Sequence, residues 1–250
     1  MELSLQKPNT KLFESLGELI APTRCAGCEK QGALLCPECL SMLNCGYHNT
    51  QACPNCAGPY GALTCTECWD INYGFARALA LGILDGPLAR AVVLFKDANE
   101  RRLAQLLGHL LAKCIQSNWL DWIDNKSLVT WVPASNTAIR KRGFDHAKLL
   151  AFEVAKTLGL PAISTLSRAR ARDQRGLKRR QRLEDVEQFY CLLTPQVDTQ
   201  NFGKSAVHPP SKILLIDDVF TTGATAEKAT KALLEAGILE VRVAVLGRAW

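Results

Sequence analysis

The apolar residues divide the chain into a turn-rich N-terminal part and a longer part in which short apolar runs alternate with segments of helical period. Residues 11–20, KLFESLGELI, place Leu12, Leu16 and Leu19 on one side of a short helix that Pro22 ends. From Cys25 to Cys68 no period holds, and Gly- and Pro-containing turns take over. Near Gly74 the stretch FARALALGIL reads as a strand entering a sheet. Two helices are expected next, over 86–98 and 101–118, where Leu103, Leu106, Leu107, Leu110 and Leu111 recur at the spacing of core packing. LVTWV (128–132) is a second apolar strand, 145–158 a helix stopped by Gly159, and PAIST (161–165) a short strand. The run Ile213–Ile216 has the continuous apolar character of a central parallel strand covered on both faces. A helix ending at Gly237 and the alternating LEVRVAVLGRA complete the chain. This alternation predicts an α/β fold, a parallel sheet with helices on both faces, preceded by a small Cys-rich module. The expected division is 1–72 and 73–250.

With 250 residues, 48% of them hydrophobic, the chain can bury one medium core and one small one. No run of eighteen apolar residues occurs, and no basic segment precedes an apolar stretch at the start. Neither a membrane span nor a signal peptide is therefore expected, which points to a cytoplasmic protein. The net charge of +6 is local: residues 168–182 hold eight Lys or Arg and one acid, and the remainder is close to neutral. Any anion the protein handles should meet that segment, read either as a solvated charge run or as a cationic lid. Residues 192–211 are polar and rich in turn formers, a surface loop.

Eight of the eleven cysteines fall into four CxxC pairs: Cys25/Cys28, Cys36/Cys39, Cys53/Cys56 and Cys65/Cys68. Each pair presents two thiolates to one Zn²⁺ and two pairs complete a tetrahedron, so up to two ions are expected. Short gaps between the first two pairs, and again between the last two, favour sequential sites; an interleaved arrangement remains open. All-sulfur ligation leaves no open position for substrate, so the zinc is structural. Cys45, Cys114 and Cys191 stand alone and read as small buried hydrophobes or spare thiols. Residues 22–70 carry two basic and four acidic residues, a poor charge balance for a phosphate clamp. Tyr47, Tyr60 and Trp69 could stack on bases, but an interaction or packing role is the better reading.

After Ile216 the chain reads Asp217, Asp218, two further residues, then Thr221, Thr222, Gly223, Ala224 and Thr225 before a helix. A helix N-terminus points backbone N–H groups outward and favours negative charge, so this turn can bind a phosphate. Gly223 admits close approach, the threonine hydroxyls add donors, and the acids suit ribose hydroxyls or Mg²⁺. A sugar phosphate satisfies both ends. The strand 128–132 runs into a second polar loop, PASNTAIRKRGFDHA, at the sheet edge where ligands of open parallel sheets collect. That loop is a candidate for a second anionic group, with Arg140 and Arg142 close behind.

Ile213–Thr225, ILLIDDVFTTGAT, resembles the phosphoribosyl pyrophosphate (PRPP) motif of type I phosphoribosyltransferases. The order of parts, cysteine pairs, VPAS followed by RKRGF, then Arg168, Gln174, Leu177, Arg182 and Phe189, then the PRPP-like stretch, resembles the ComF or GntX-like family over nearly the whole chain. That family joins a double zinc ribbon to a phosphoribosyltransferase domain. The resemblance implies that Asp217 and Asp218 face the ribose, that Thr221–Thr225 wrap the 5′-phosphate, and that Pro133, Ala134 and Ser135 form the pyrophosphate loop. It further implies a hood carrying Arg168, Arg172, Gln174 and Arg182, with Mg²⁺ accompanying PRPP and Arg142 aiding departure of pyrophosphate. Transfer of ribosyl phosphate to an unknown acceptor is the implied reaction; non-catalytic sensing of PRPP or a nucleotide is the alternative. A link to competence is also implied, with single-stranded DNA or a protein of the competence machinery as partner. Family members usually show Arg-Gly-Phe-Asn-Gln and an Asn three residues after the hood arginine. Here Asp145 and His146 follow Phe144, and Asp185 stands in place of that Asn.

Overall fold

The computed structural model describes residues 22–43, 52–59, 65–168, 189–191 and 210–249. The helix expected over 11–20, the basic segment after Arg168 with Arg172, Gln174 and Arg182, and the loop 192–209 lie outside the described residues. In chain order the elements are α1 (Pro37–Ser41), β1 (Arg77–Ile83), α2 (Gly86–Lys96), α3 (Leu103–Trp119), a 3₁₀ turn (Leu120–Trp122) and β2 (Ser127–Trp131). They continue with α4 (Asn136–Arg142), α5 (His146–Leu158), β3 (Leu166–Arg168), β4 (Phe189–Cys191), β5 (Lys212–Phe220), α6 (Ala224–Glu235) and β6 (Glu240–Arg248).

Four strands form a parallel sheet in the order β1-β6-β5-β2. β5 sits inside it, and its alternation divides the core. Leu214 and Ile216 pack with Phe95, Leu107, Leu111, Leu150 and Val154 of α2, α3 and α5. Ile213 and Leu215 pack on the other face with Ala229 and Leu233 of α6 and with Phe75. Burying each such side chain contributes about 1.5–3 kcal/mol, so a strand covered on both faces is strongly fixed in register.

Two local expectations change. β5 does not stop at Ile216 but continues through the acidic pair to Phe220, because β6 stays paired with it as far as Phe220↔Arg248. PAIST makes only a single parallel bridge, Val129↔Ala162. Pro161 has no N–H to offer a ladder, and Thr165 bonds the buried Thr130 hydroxyl at 2.8 Å. The chain then enters β3, which pairs antiparallel with β4 to form a separate two-stranded ribbon.

The two cysteine groups dock on opposite faces of the sheet. Cys25, Cys36 and Cys39 join the core beneath α2, α3 and α5, while Cys53, Cys56, Cys65 and Cys68 join the core beneath α6. Arginines pin both: Arg90 Nη1 donates to Gly27 O (2.8 Å) and Arg102 Nη1 to Thr23 Oγ1 (3.0 Å) on one side. On the other, the buried Arg248 donates from Nε to Cys56 O (2.9 Å). No helix among the described residues is long and apolar enough to cross a membrane.

Candidate functional site

The cysteine turns repeat one backbone design. Cys25 N–H donates to Lys30 O and Cys53 N–H to Gly58 O, the bridges Arg24↔Gln31 and Ala52↔Pro59 close each loop, and the residue after each second cysteine is left-handed (Glu29 φ 67°, Ala57 φ 56°). Ligand atoms converge as two sequential sets, Cys25/Cys28/Cys36/Cys39 and Cys53/Cys56/Cys65/Cys68, each within 4.8 Å. The open choice between sequential and interleaved sites is thereby resolved. Sulfur–sulfur separations of 3.6 Å for Cys28/Cys36, Cys53/Cys68 and Cys56/Cys65 approach the tetrahedral edge of about 3.8 Å that Zn–S bonds of about 2.3 Å require. Both sets fit and could hold a structural zinc ion. The N–H of Cys36 also donates to Cys25 Sγ (3.3 Å), the kind of outer contact that favours a thiolate.

The second constellation stands at the C-terminal end of the parallel sheet. Asp218 is buried on β5, and its Oδ2 lies within ion-pair distance of two groups: Lys96 Nζ from the end of α2 at 2.5 Å and His146 Nε2 from the start of α5 at 3.0 Å. Arg142 closes the network, with Nη1 3.2 Å from His146 Nδ1 and Nη2 3.3 Å from Asp97 Oδ1. A guanidinium can only donate, so Nδ1 must accept and the imidazole proton sits on Nε2, facing Asp218. Burial alone would raise Asp218, but the His146 hydrogen bond and the Lys96 charge outweigh it and hold the carboxyl well below the usual carboxylate range. Because the folded value lies below the unfolded one, this group contributes stability at neutral pH that is lost as pH falls through the acid range. Asp217 is half-buried and accepts the N–H of Asp218 at 2.9 Å; burial, then the charge of Asp218, push its carboxyl well up.

Beyond the acids, Gly223 opens α6 with φ 77°. A Cβ there would lie 2.5 Å from the Phe220 ring and 2.9 Å from Tyr73, so glycine is required by packing within the protein as well as for approach of a ligand. Tyr73 Oη donates to Thr222 O (3.0 Å), Thr222 Oγ1 accepts the Ala224 N–H (3.3 Å), and Gly74 N–H donates to Glu227 (2.6 Å). Burial, followed by the nearby cysteines, pushes the Tyr73 phenol up to about 12, which keeps it a donor at neutral pH. Tyr73, Phe75 and Phe220 form an aromatic cluster beneath the turn, and Arg248 lies over Phe220 while also bonding Phe220 O. The second cysteine set therefore connects to the turn through one arginine.

The other sequence-predicted residues are placed as follows. Val132 N–H bonds Ile216 O (3.0 Å), so Pro133, Ala134 and Ser135 leave the sheet beside the acidic pair. The Ala134 N–H is taken by Asp145 Oδ2 (3.1 Å), and Ser135 caps α4 by accepting the Ala138 N–H (3.2 Å). The stretch read as one long loop thus contains a helix. Thr221, Thr222 and Ala224 are exposed and Thr225 is half-buried on the turn. Arg140 is exposed, and Arg168 stands on the β3–β4 ribbon with its guanidinium over Phe189. Sequence reasoning missed Lys96, whose only signal is a cation ending an apolar helix, and gave His146 no role beyond a departure from the family pattern.

Mg²⁺ was expected with the sugar phosphate, and the donor set bears on it. His146, Asp217 and Asp218 bring one ligand atom each within 4.8 Å, but Asp218 Oδ2 already carries an ammonium and an imidazole N–H. Mg²⁺ takes oxygen ligands in near-octahedral geometry. It does not fit this set.

Comparison with known proteins finds relatives that span most of the chain. Competence protein F of Haemophilus influenzae is 26% identical over 230 residues, covering 90% of each chain. DNA utilization protein YhgH of Salmonella typhi is 26% identical over 242 residues, 92% of this chain and 99% of its own. Over most of its length the chain is thus similar to proteins named for competence and for DNA utilization. Competence protein ComFC of Streptococcus pneumoniae matches a shorter part of the chain, 32% identical over 117 residues, 47% of this chain and 46% of its own. No family model matches the chain.

Proposed function

We propose that the protein binds PRPP or a closely related sugar phosphate at the end of β5, transfers ribosyl phosphate to an acceptor, and serves DNA uptake or the use of external DNA. The observation that carries the reading is the juxtaposition of Asp217 and Asp218 with a glycine-initiated helix at the C-terminal edge of a parallel sheet. In this reading the turn Thr221–Thr225 takes the 5′-phosphate at the start of α6. Asp217 and Asp218 face the ribose hydroxyls. Pro133–Ser135 receive the pyrophosphate, and the positive charge of the segment from Arg168 to Arg182 offsets its negative charge. Loss of pyrophosphate leaves positive charge on the sugar carbon, so donors held near the leaving oxygens set the rate. This reading gives that task to Arg142, which contacts His146 and Asp97. The DNA-related role comes from the names of the relatives, with single-stranded DNA or a competence protein as partner.

Pyrophosphate release from PRPP, measured across a panel of bases and nucleotides, tests the transferase. Stimulated release with one acceptor class is expected. Saturable PRPP binding without release in any combination would leave the non-catalytic sensor, a reading favoured by the salt-bridged state of Asp218.

A further inference from the structure

The last turn of α2 brings a lysine to an acid on a different layer of the fold. Leu88, Ala91, Val92 and Phe95 bury one side of the helix, and this packing fixes where Lys96 emerges. The Lys96 side chain keeps 30% of its exposure whereas Asp218 keeps 7%, so the lysine is partly open to solvent while the acid it contacts is not. The ammonium is a compact point charge with three donors. One is spent on Asp218 Oδ2 at 2.5 Å. The neighbouring acid does not compete for the others, because Asp97 is engaged by Arg142 at 3.3 Å. A divalent ion binding Asp218 would have to displace this ammonium from an oxygen that His146 also holds.

We infer that Lys96 is the resident cation of this site: it supplies to Asp218 the charge a divalent ion would bring, and a phosphorylated sugar binds without such an ion. The inference rests on the sugar-phosphate reading above and adds to it the nature of the counter-charge. A lysine serving structure alone would be expected to be buried with the acid; the side chain of this one remains partly exposed.

The test is titration of the full-length, zinc-loaded protein with PRPP in buffer from which Mg²⁺ has been removed by exchange, without a chelator that would strip the cysteine sites. Wild-type affinity should change by about threefold or less when Mg²⁺ is restored. Lys96→Met keeps the apolar stem and should lose about tenfold or more without Mg²⁺, with part of the loss recovered when Mg²⁺ can reach the vacated carboxylate. Lys96→Arg should bind without Mg²⁺. If Lys96→Met does not melt cooperatively, the wild-type pair and Lys96→Arg decide the matter. Wild-type binding about tenfold weaker without Mg²⁺, or a Lys96→Met that binds as wild type in its absence, overturns the inference while leaving the sugar-phosphate site standing. Absence of binding in either buffer overturns the sugar-phosphate reading, and this inference with it.

Discussion

Cys65→Ser is expected to leave about one zinc ion per chain in place of two and to lower the melting temperature severely. Cys65 is buried, 3.6 Å from Cys56 Sγ, in the core that also contains Phe75, Leu215, Val243 and Leu233. Losing the ion there removes more than a peripheral loop. Apparent zinc contributions of about 10–16 kcal/mol in small zinc-binding peptides match or exceed the whole stability of a typical domain, about 5–15 kcal/mol. The disturbance should also travel, since Arg248 bonds Cys56 O and Phe220 O and lies against the turn that opens α6. Cys28→Ser should lose the other ion with a smaller fall in melting temperature, because Cys28 is exposed and outside the packed cluster. Metal analysis by mass spectrometry with calorimetric melting reads both effects. A Cys65→Ser protein with its full zinc complement would refute the assignment of that set.

The second large effect is expected at Gly223. Valine would have to adopt φ 77°, a region β-branched residues avoid, and its Cβ would enter the Phe220 and Tyr73 rings. Backbone strain of about 1–3 kcal/mol and overpacking of about 1–3 kcal/mol give a loss on the order of 2–6 kcal/mol. For a chain of this size that corresponds to a fall in melting temperature of roughly 5–20 °C. The sequence alone suggests that such a change would only block a ligand. Packing beneath the turn makes it a stability mutation too, so PRPP affinity must be measured below the new melting temperature. Thermal melts of Gly223→Val and Gly223→Ala give the answer: unchanged melting in both would mean that the turn is not held by the aromatic cluster.

The sequence was most legible where one local rule sufficed. The apolar run Ile213–Ile216 announces a strand covered on both faces, and helix periods place α3 and α5 within a few residues of their observed ends. The CxxC spacing reveals the ligand pairs. It carries nothing about docking, so the attachment of the two sets to opposite faces of the sheet appears only when Arg90, Arg102 and Arg248 are seen in place. The end of β5 was misjudged because two charged residues look like a strand terminus, whereas a parallel partner running to Arg248 holds the strand together beyond them. The Lys96–Asp218–His146 cluster escaped detection for a similar reason. Its members come from α2, β5 and α5, far apart in the chain, and no spacing rule joins a helix-ending lysine to a strand carboxylate.

The central claim, a sugar-phosphate site at the end of β5, is tested most directly by hydrogen exchange of the zinc-loaded wild-type protein with and without saturating PRPP. The account predicts slowed exchange at 221–227, around the start of α6, and at 134–135, while the strands beneath remain unchanged. Saturable binding with protection confined to other parts of the chain, or no change at 221–227 at saturation, would contradict it.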